Sequence, residues 1–144
     1  MAKIDCFLEG EPPTKTKQQR KHRVIVPKDG GKPYAMTYKA PGVAEAEDSL
    51  RAKFLPHRPG MPLEGPITAT VTWYFTHPKS HTKKQRETPY KLTSPDLDNA
   101  EKMLFDAIAG LAFVDDKQIW RKITEKRYCG PGERPGIWII LEED

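Results

Sequence analysis

Cysteine is nearly absent. Cys6 and Cys129 stand alone in 144 residues, too few for a disulfide framework and without the paired spacing of a thiolate zinc site. Long apolar runs are missing too, so no segment approaches the ~18 residues that span a bilayer. The opening Met1-Ala2-Lys3-Ile4-Asp5 lacks the apolar core of a secretory signal. A cytoplasmic location and no membrane partner are expected. There is no Gly-x-x-x-x-Gly-Lys loop, no dinucleotide fingerprint and no Ser/His/Asp arrangement, so no nucleotide cofactor is expected. Apolar residues make up 37% of the chain and charged residues 31%, with 14 Pro and 10 Gly. That balance predicts a modest core, long loops and one domain over residues 1–144.

Acid is missing where base accumulates. Residues 14–28 carry Lys15, Lys17, Arg20, Lys21, Arg23 and Lys28 with no carboxylate, a charge of +6. Residues 79–91 carry Lys79, Lys83, Lys84, Arg86 and Lys91 against Glu87, a charge of +4. The whole chain is only +4, so the remainder is −6. Basic stretches segregated on an otherwise acidic chain point to a polyanionic partner such as nucleic acid, with two solvated loops as the plain alternative.

Alternation of Ile4, Cys6 and Leu8 predicts a strand over residues 2–10. Residues 14–21 have no period and read as a mobile arm. Lys28-Asp29-Gly30-Gly31-Lys32 between two short strand-like runs predicts a hairpin. Val43, Ala46, Leu50 and Phe54 form one helical stripe over residues 41–55, stopped by Pro56. Ile67 to Phe75 alternates clearly and is a strand. A second helix is expected over residues 99–109, with Gly110 ending it. Strands over residues 117–128 and 136–141 complete an α+β fold: a mixed sheet of about four to six strands with two main helices.

Chemistry concentrates in Pro95-Asp96-Leu97-Asp98-Asn99-Ala100-Glu101-Lys102 and in Val114-Asp115-Asp116-Lys117-Gln118. Residues two apart on a helix diverge by about 200°, whereas in an extended segment they point the same way. Shared ligation by Asp96 and Asp98 therefore requires residues 95–98 extended and a helix starting near Asn99. Asp98 would then be the N-cap with Glu101 at N3, a capping box, and that is also the bland reading of the motif. Lys102, one turn on, is either an i,i+4 partner of Asp98 or a cation aimed at a phosphate. Only one of Asp115 and Asp116 is expected to join the first pair. Three carboxylates at one site need a cation, and oxygen-only ligands suit Mg²⁺ or Mn²⁺.

Taken together, Pro95-Asp96-Leu97-Asp98-Asn99-x-x-Lys102-x-x-x-Asp106-Ala107-Ile108-x-Gly110 followed by Asp115-Asp116-x-Gln118-Ile119 strongly resembles the RusA family of Holliday junction resolvases, often encoded by phages and prophages. The resemblance implies that Asp96, Asp98 and Asp116 are catalytic metal ligands and that Lys102 is the essential basic residue. It implies a homodimer that needs Mg²⁺ and cuts four-way DNA junctions symmetrically, in a bacterial or phage-infected cytoplasm. The sequence departs from many members at Ser94, where they carry a basic residue. Hydrolysis in line with the 3′ oxygen would leave a 5′-phosphate and a 3′-hydroxyl. Lys15, Lys17, Arg20, Lys21, Arg23, Lys79, Lys83, Lys84 and Arg86 would grip the DNA backbone. Two other readings stand beside this one: a DNA-structure binder without catalysis, and a broader nuclease for branched DNA.

The remaining candidates read as structural. His77 and His81 lack a cysteine pair and are assigned to the basic loop. Cys6 is expected buried. Trp73, Phe75, Trp120 and Trp138 fall in strands and are expected in the core. Tyr34, Tyr38 and Tyr90 flank basic loops, and none is singled out for base stacking.

Overall fold

A computed structural model describes residues 2–16, 20–39 and 42–144, with the side chains of 20–23 and 36–39 excepted. The strands are β1 (Lys3–Glu9), β2 (Arg20–Ile25), β3 (Tyr34–Lys39), β4 (Ile67–Phe75), β5 (Ile119–Tyr128) and β6 (Gly136–Glu143). The helices are α1 (Val43–Phe54) and α2 (Leu97–Ile108). β1, β6, β4 and β5 form a four-stranded mixed sheet in that order. β2 and β3 pair only with each other, as an antiparallel hairpin outside that sheet. The expected mixed sheet and two helices are therefore present. Arg20 and Lys21, expected in a mobile arm, lie instead in β2, because Arg20 pairs with Lys39 and Lys21 with Tyr38 across the hairpin. Lys17 falls outside the described residues.

The core follows from two periodicities meeting. Ile67, Ala69, Val71, Trp73 and Phe75 of β4 point to one face, beside Ile137, Ile139 and Leu141 of β6 and Ile4, Cys6 and Leu8 of β1. Val43, Leu50 and Phe54 of α1, and Ala100, Met103, Leu104, Ala107 and Ile108 of α2, close that face. Burial pushes the Cys6 thiol up to about 11, with the Asp5 carboxylate adding to the shift, so it behaves as a small apolar side chain. Arg51 of α1 donates to the carbonyls of Ala107 and Ala109 at 3.1 and 3.0 Å, covering two orphan acceptors at the end of α2. Gly110 takes φ +83°, as expected of the residue that ends this helix.

β4 and β5 are parallel and α2 connects them, a strand–helix–strand crossover. The helix therefore runs back along β5. Ties between them confirm the direction. Lys126 reaches the carbonyl of Pro95 before the helix, Lys122 and Thr124 reach Glu101 within it, and Asp116 reaches Lys102.

Two aromatic expectations fail. Trp73 and Phe75 are core, but Trp120 is 64% exposed and Trp138 is 41% exposed. β5 is an edge strand, so side chains on its α2 side meet only the helix flank. Trp138 sits on the sheet face that no helix covers.

The histidines also leave the basic loop. His77 is buried, its ring stacked on Tyr128 with centroids 4.4 Å apart, and its Nδ1 lies 2.9 Å from Nδ1 of His81. Lys91 is buried as well, its Nζ 4.6 Å from the Phe75 ring centroid and bonded to Thr93 Oγ1 at 2.8 Å, so it is an anchor and not a DNA contact. Of two facing Nδ1 atoms only one can carry the shared proton. Burial lowers the His77 pKa, and His81 and the Arg86 guanidinium lower it further. A histidine depressed in the folded state stabilises above its unfolded pKa and loses that contribution as pH falls. Thermal melts should thus show stability declining below about pH 6.5, with a shallower decline in His77→Phe. Parallel profiles for the two proteins would contradict this account.

Candidate active site

The site is built where α2 lies along the start of β5. Its N-terminal end differs from expectation. Asp96, with φ −68° and ψ 145°, is the N-cap, and α2 begins at Leu97, so Asp98 is already in the first turn. Asp96 alone is extended here, after a bend over residues 93–95, so the extended run through Asp98 is not formed. Asp96 makes no side-chain capping bond at this end. The expected capping box of Asp98 with Glu101 is absent because Glu101 turns inward, away from the helix start. The physical reason is a stronger set of partners. Glu101 is 5% exposed, and its two carboxylate oxygens accept from Lys122 Nζ and Thr124 Oγ1 of β5. A buried carboxylate needs such partners, and a role in the cap would have forgone both.

Lys102 is the hub of the exposed part. Its Nζ is 3.2 Å from Asp116 Oδ2 and 3.3 Å from Asp106 Oδ1. The i,i+4 partner is thus Asp106 ahead of it, and not Asp98 behind it. Hydrogen bonds to Asp116 and then to Asp106 raise the Lys102 pKa, which keeps the ammonium charged.

The two adjacent aspartates divide their roles. Asp115 caps the single helical turn Asp116–Gln118: its side chain accepts from Lys117 N at 2.9 Å, and Gln118 Oε1 accepts from Asp115 N at 2.8 Å. The Lys117 backbone N–H is the main reason the Asp115 carboxyl is held below its ordinary range. Gln118 in turn donates to the carbonyls of Leu63 and Gly65 at 2.8 and 3.0 Å, which fixes the turn to the body. Asp116 is left to face Lys102.

A cleft of about 350 Å³ results, lined among others by Asp98, Glu101, Lys102, Asp116, Trp120 and Lys122. Asp98, Lys102 and Asp116 therefore share one cleft. Asp96 lies outside its lining, exposed at the helix cap. Asp98 and Lys102 are about one helical turn apart on α2, and Asp116 joins them from the turn before β5. Among the described residues no group of three or more His, Cys, Asp or Glu side chains is placed to hold a metal ion. The donor chemistry still suits a hard divalent cation. All candidates are carboxylate oxygens, and Mg²⁺ is commonly held by one or two carboxylates with phosphate and water completing its shell.

The basic residues stand apart. Lys15, Lys79, Lys83 and Lys84 are exposed. Arg86 donates to the carbonyls of His81, Pro78 and Lys79, so it ties its own loop together. Sequence reasoning missed Lys122 and Lys126, and gave Glu101 to the helix cap instead of to β5. Lys126 Nζ donates to the carbonyls of Thr93 and Pro95, each at 2.7 Å, on either side of the cis Ser94–Pro95 peptide. The spacing of Lys122, Thr124 and Lys126 on one side of a strand is a signal that could have revealed them.

The fold and cleft define an α+β protein with an acidic groove beside a helix N-terminus and a separate set of exposed lysines. A family model described as Endodeoxyribonuclease RusA matches residues 10–142, and the chain belongs to that family. It is also similar to the Uncharacterized protein YqaN of Bacillus subtilis (strain 168), at 33% identity over 94 residues, covering 60% of this chain and 64% of that protein. The chain thus matches less than two thirds of that relative's length. No helix among the described residues is long and apolar enough to cross a membrane.

Lys126 holds the segment that delivers Asp96 to the cap. Lys126→Met removes the donor of two charge-assisted bonds and should destabilise the protein by about 1–3 kcal/mol, read from urea unfolding. Unchanged stability would mean that the turn holds itself.

Proposed function

We propose that this chain is a divalent-metal-dependent endodeoxyribonuclease that resolves four-way DNA junctions by paired symmetric nicks. The observation that carries the reading is the meeting of Asp98, Lys102 and Asp116 in one cleft of a RusA-family chain. Asp98 and Asp116 would hold Mg²⁺, or Mn²⁺ in its place; Asp96 would join them as the third ligand once the first turn of α2 opens to the extended form that sharing an ion with Asp98 requires. When bound, such an ion lowers the pKa of a water and polarises the scissile phosphate.

The chain's own residues then have distinct tasks. Asp116 Oδ2 pairs with Lys102 Nζ at 3.2 Å. Arrival of a phosphate offers that ammonium a new anionic partner and frees the carboxylate. Lys102, kept protonated by Asp116 and Asp106, offsets charge that builds on the phosphoryl oxygens. Lys79, Lys83 and Lys84, all exposed, would supply DNA-backbone contacts together with Lys15, Arg20, Lys21 and Arg23. A four-way junction has near-twofold symmetry, so a C2 homodimer would set one cleft on each of two opposing strands.

A synthetic four-way junction assayed with and without Mg²⁺ tests this directly. Asp98→Asn and Asp116→Asn should each slow cleavage by more than about 100-fold, with junction binding in EDTA nearly intact. Undiminished cleavage by either would remove that residue from the site. Binding without nicking under any divalent metal would leave a DNA-structure binder, and equal cutting of three-way and four-way substrates at matched salt would leave a broader branched-DNA nuclease.

A further inference from the structure

Trp120 is the largest exposed side chain in the cleft, at 64% exposure, on a strand where lysine or threonine would be the unremarkable choice for an edge. It is not loose. Its indole Nε1–H donates to Asp144 Oδ2 at 3.0 Å, and Asp144 is itself held by its backbone N–H on the Pro66 carbonyl at 2.9 Å. The polar edge of the ring is thereby satisfied inside the protein. Among the described residues no aromatic ring or cation stacks on its faces. A tethered aromatic with uncovered faces has little rotamer entropy left to lose when something flat is laid on it.

Trp120 sits at a shift in the β4–β5 register, and Lys122, two residues further along β5, lines the same cleft. Its stem is half-exposed in the same cleft, and its head is fixed by the buried Glu101 carboxylate, which Thr124 also holds. β5 thus presents a π-face and a positioned ammonium to that cleft. Asp98 and Lys102 line the same cleft from α2, and Asp116 lines it from the turn before β5.

We propose that Trp120 is a stacking platform for a nucleobase next to the scissile phosphate, with Lys122 contacting a neighbouring phosphate. This rests on the nuclease reading above and specifies how that cleft takes its DNA strand. Stacking carries no counterion release, whereas a phosphate contact does. The two residues are therefore separable by salt dependence.

Binding of a four-way junction is measured in EDTA across a salt series, with melting temperatures for each protein. Trp120→Ala should weaken binding about 10-fold at every salt concentration, leaving the slope of log affinity against log salt unchanged. Trp120→Phe should restore most of the loss. Lys122→Met should flatten the slope by about 0.9. Wild-type affinity in Trp120→Ala overturns the platform. So does an equal loss in Trp120→Phe accompanied by lowered melting temperatures in both variants, which would mark a packing role. Cleavage by the wild type with Mg²⁺ is followed in parallel. Failure there strikes the nuclease reading, whereas parity of Trp120→Ala with a wild type that cuts strikes the platform alone.

Discussion

Like charge is the constraint on which this architecture turns. Asp98, Glu101, Asp106 and Asp116 converge along one flank of α2 and the turn before β5, and carboxylates that close repel unless cations stand among them. The chain supplies two lysines for this. Lys102 bridges Asp106 and Asp116 at 3.3 and 3.2 Å in the exposed part, and Lys122 answers buried Glu101 beneath. The exposed pair is weak, since surface ion pairs contribute little to stability. The buried pair is different: removing Lys122 leaves the Glu101 carboxylate uncompensated inside the wall of the cleft.

β5 does most of the positioning although it is an edge strand. A polar row on its α2 side, Lys122, Thr124 and Lys126, runs antiparallel to the helix and fastens it at successive levels. The helix is further fixed from the other flank by Arg51 of α1 at its C-terminal carbonyls. An amphipathic helix on an apolar sheet can slide or rotate at small cost. Directional bonds at its start, middle and end remove that freedom, which is what a site made from side chains of two elements requires. The same edge placement leaves Trp120 uncovered. An aromatic that fails to pack becomes an aromatic wall of the cleft.

Charge is sorted by element. The exposed lysines of the 79–84 loop and of the N-terminal region lie on segments other than those bearing the carboxylates. His77, His81 and Lys91, which sequence alone would place with that base, are instead folded around Tyr128 and brace the loop from inside. The carboxylates of the groove and the exposed lysines are thus carried by different segments of the chain.

Much of the fold and part of the site are legible in the amino-acid sequence. Period-two runs locate β1, β4 and β5, an apolar run locates β6, a 3.6-residue stripe locates both helices, and the Asp-x-Asp-Asn-x-x-Lys motif with Asp115-Asp116 points to the family. Local rules suffice where a segment meets its partner through a regular face. They fail where a side chain chooses a partner distant in sequence. Glu101 leaves the cap for Lys122 and Thr124, and with it α2 begins at Leu97 and makes Asp96 the N-cap. Lys102 takes Asp106 and Asp116 instead of Asp98. Asp115 becomes a cap and Asp116 a cleft residue, a division invisible in two adjacent identical letters. Trp120 stays out of the core because β5 is the last strand of its sheet. The sequence alone determined which residue types the site contains and which stretches bear them. Only the tertiary structure decided which carboxylate is buried, which is paired and which faces the cleft, because those outcomes are set by competition among partners that the fold brings together.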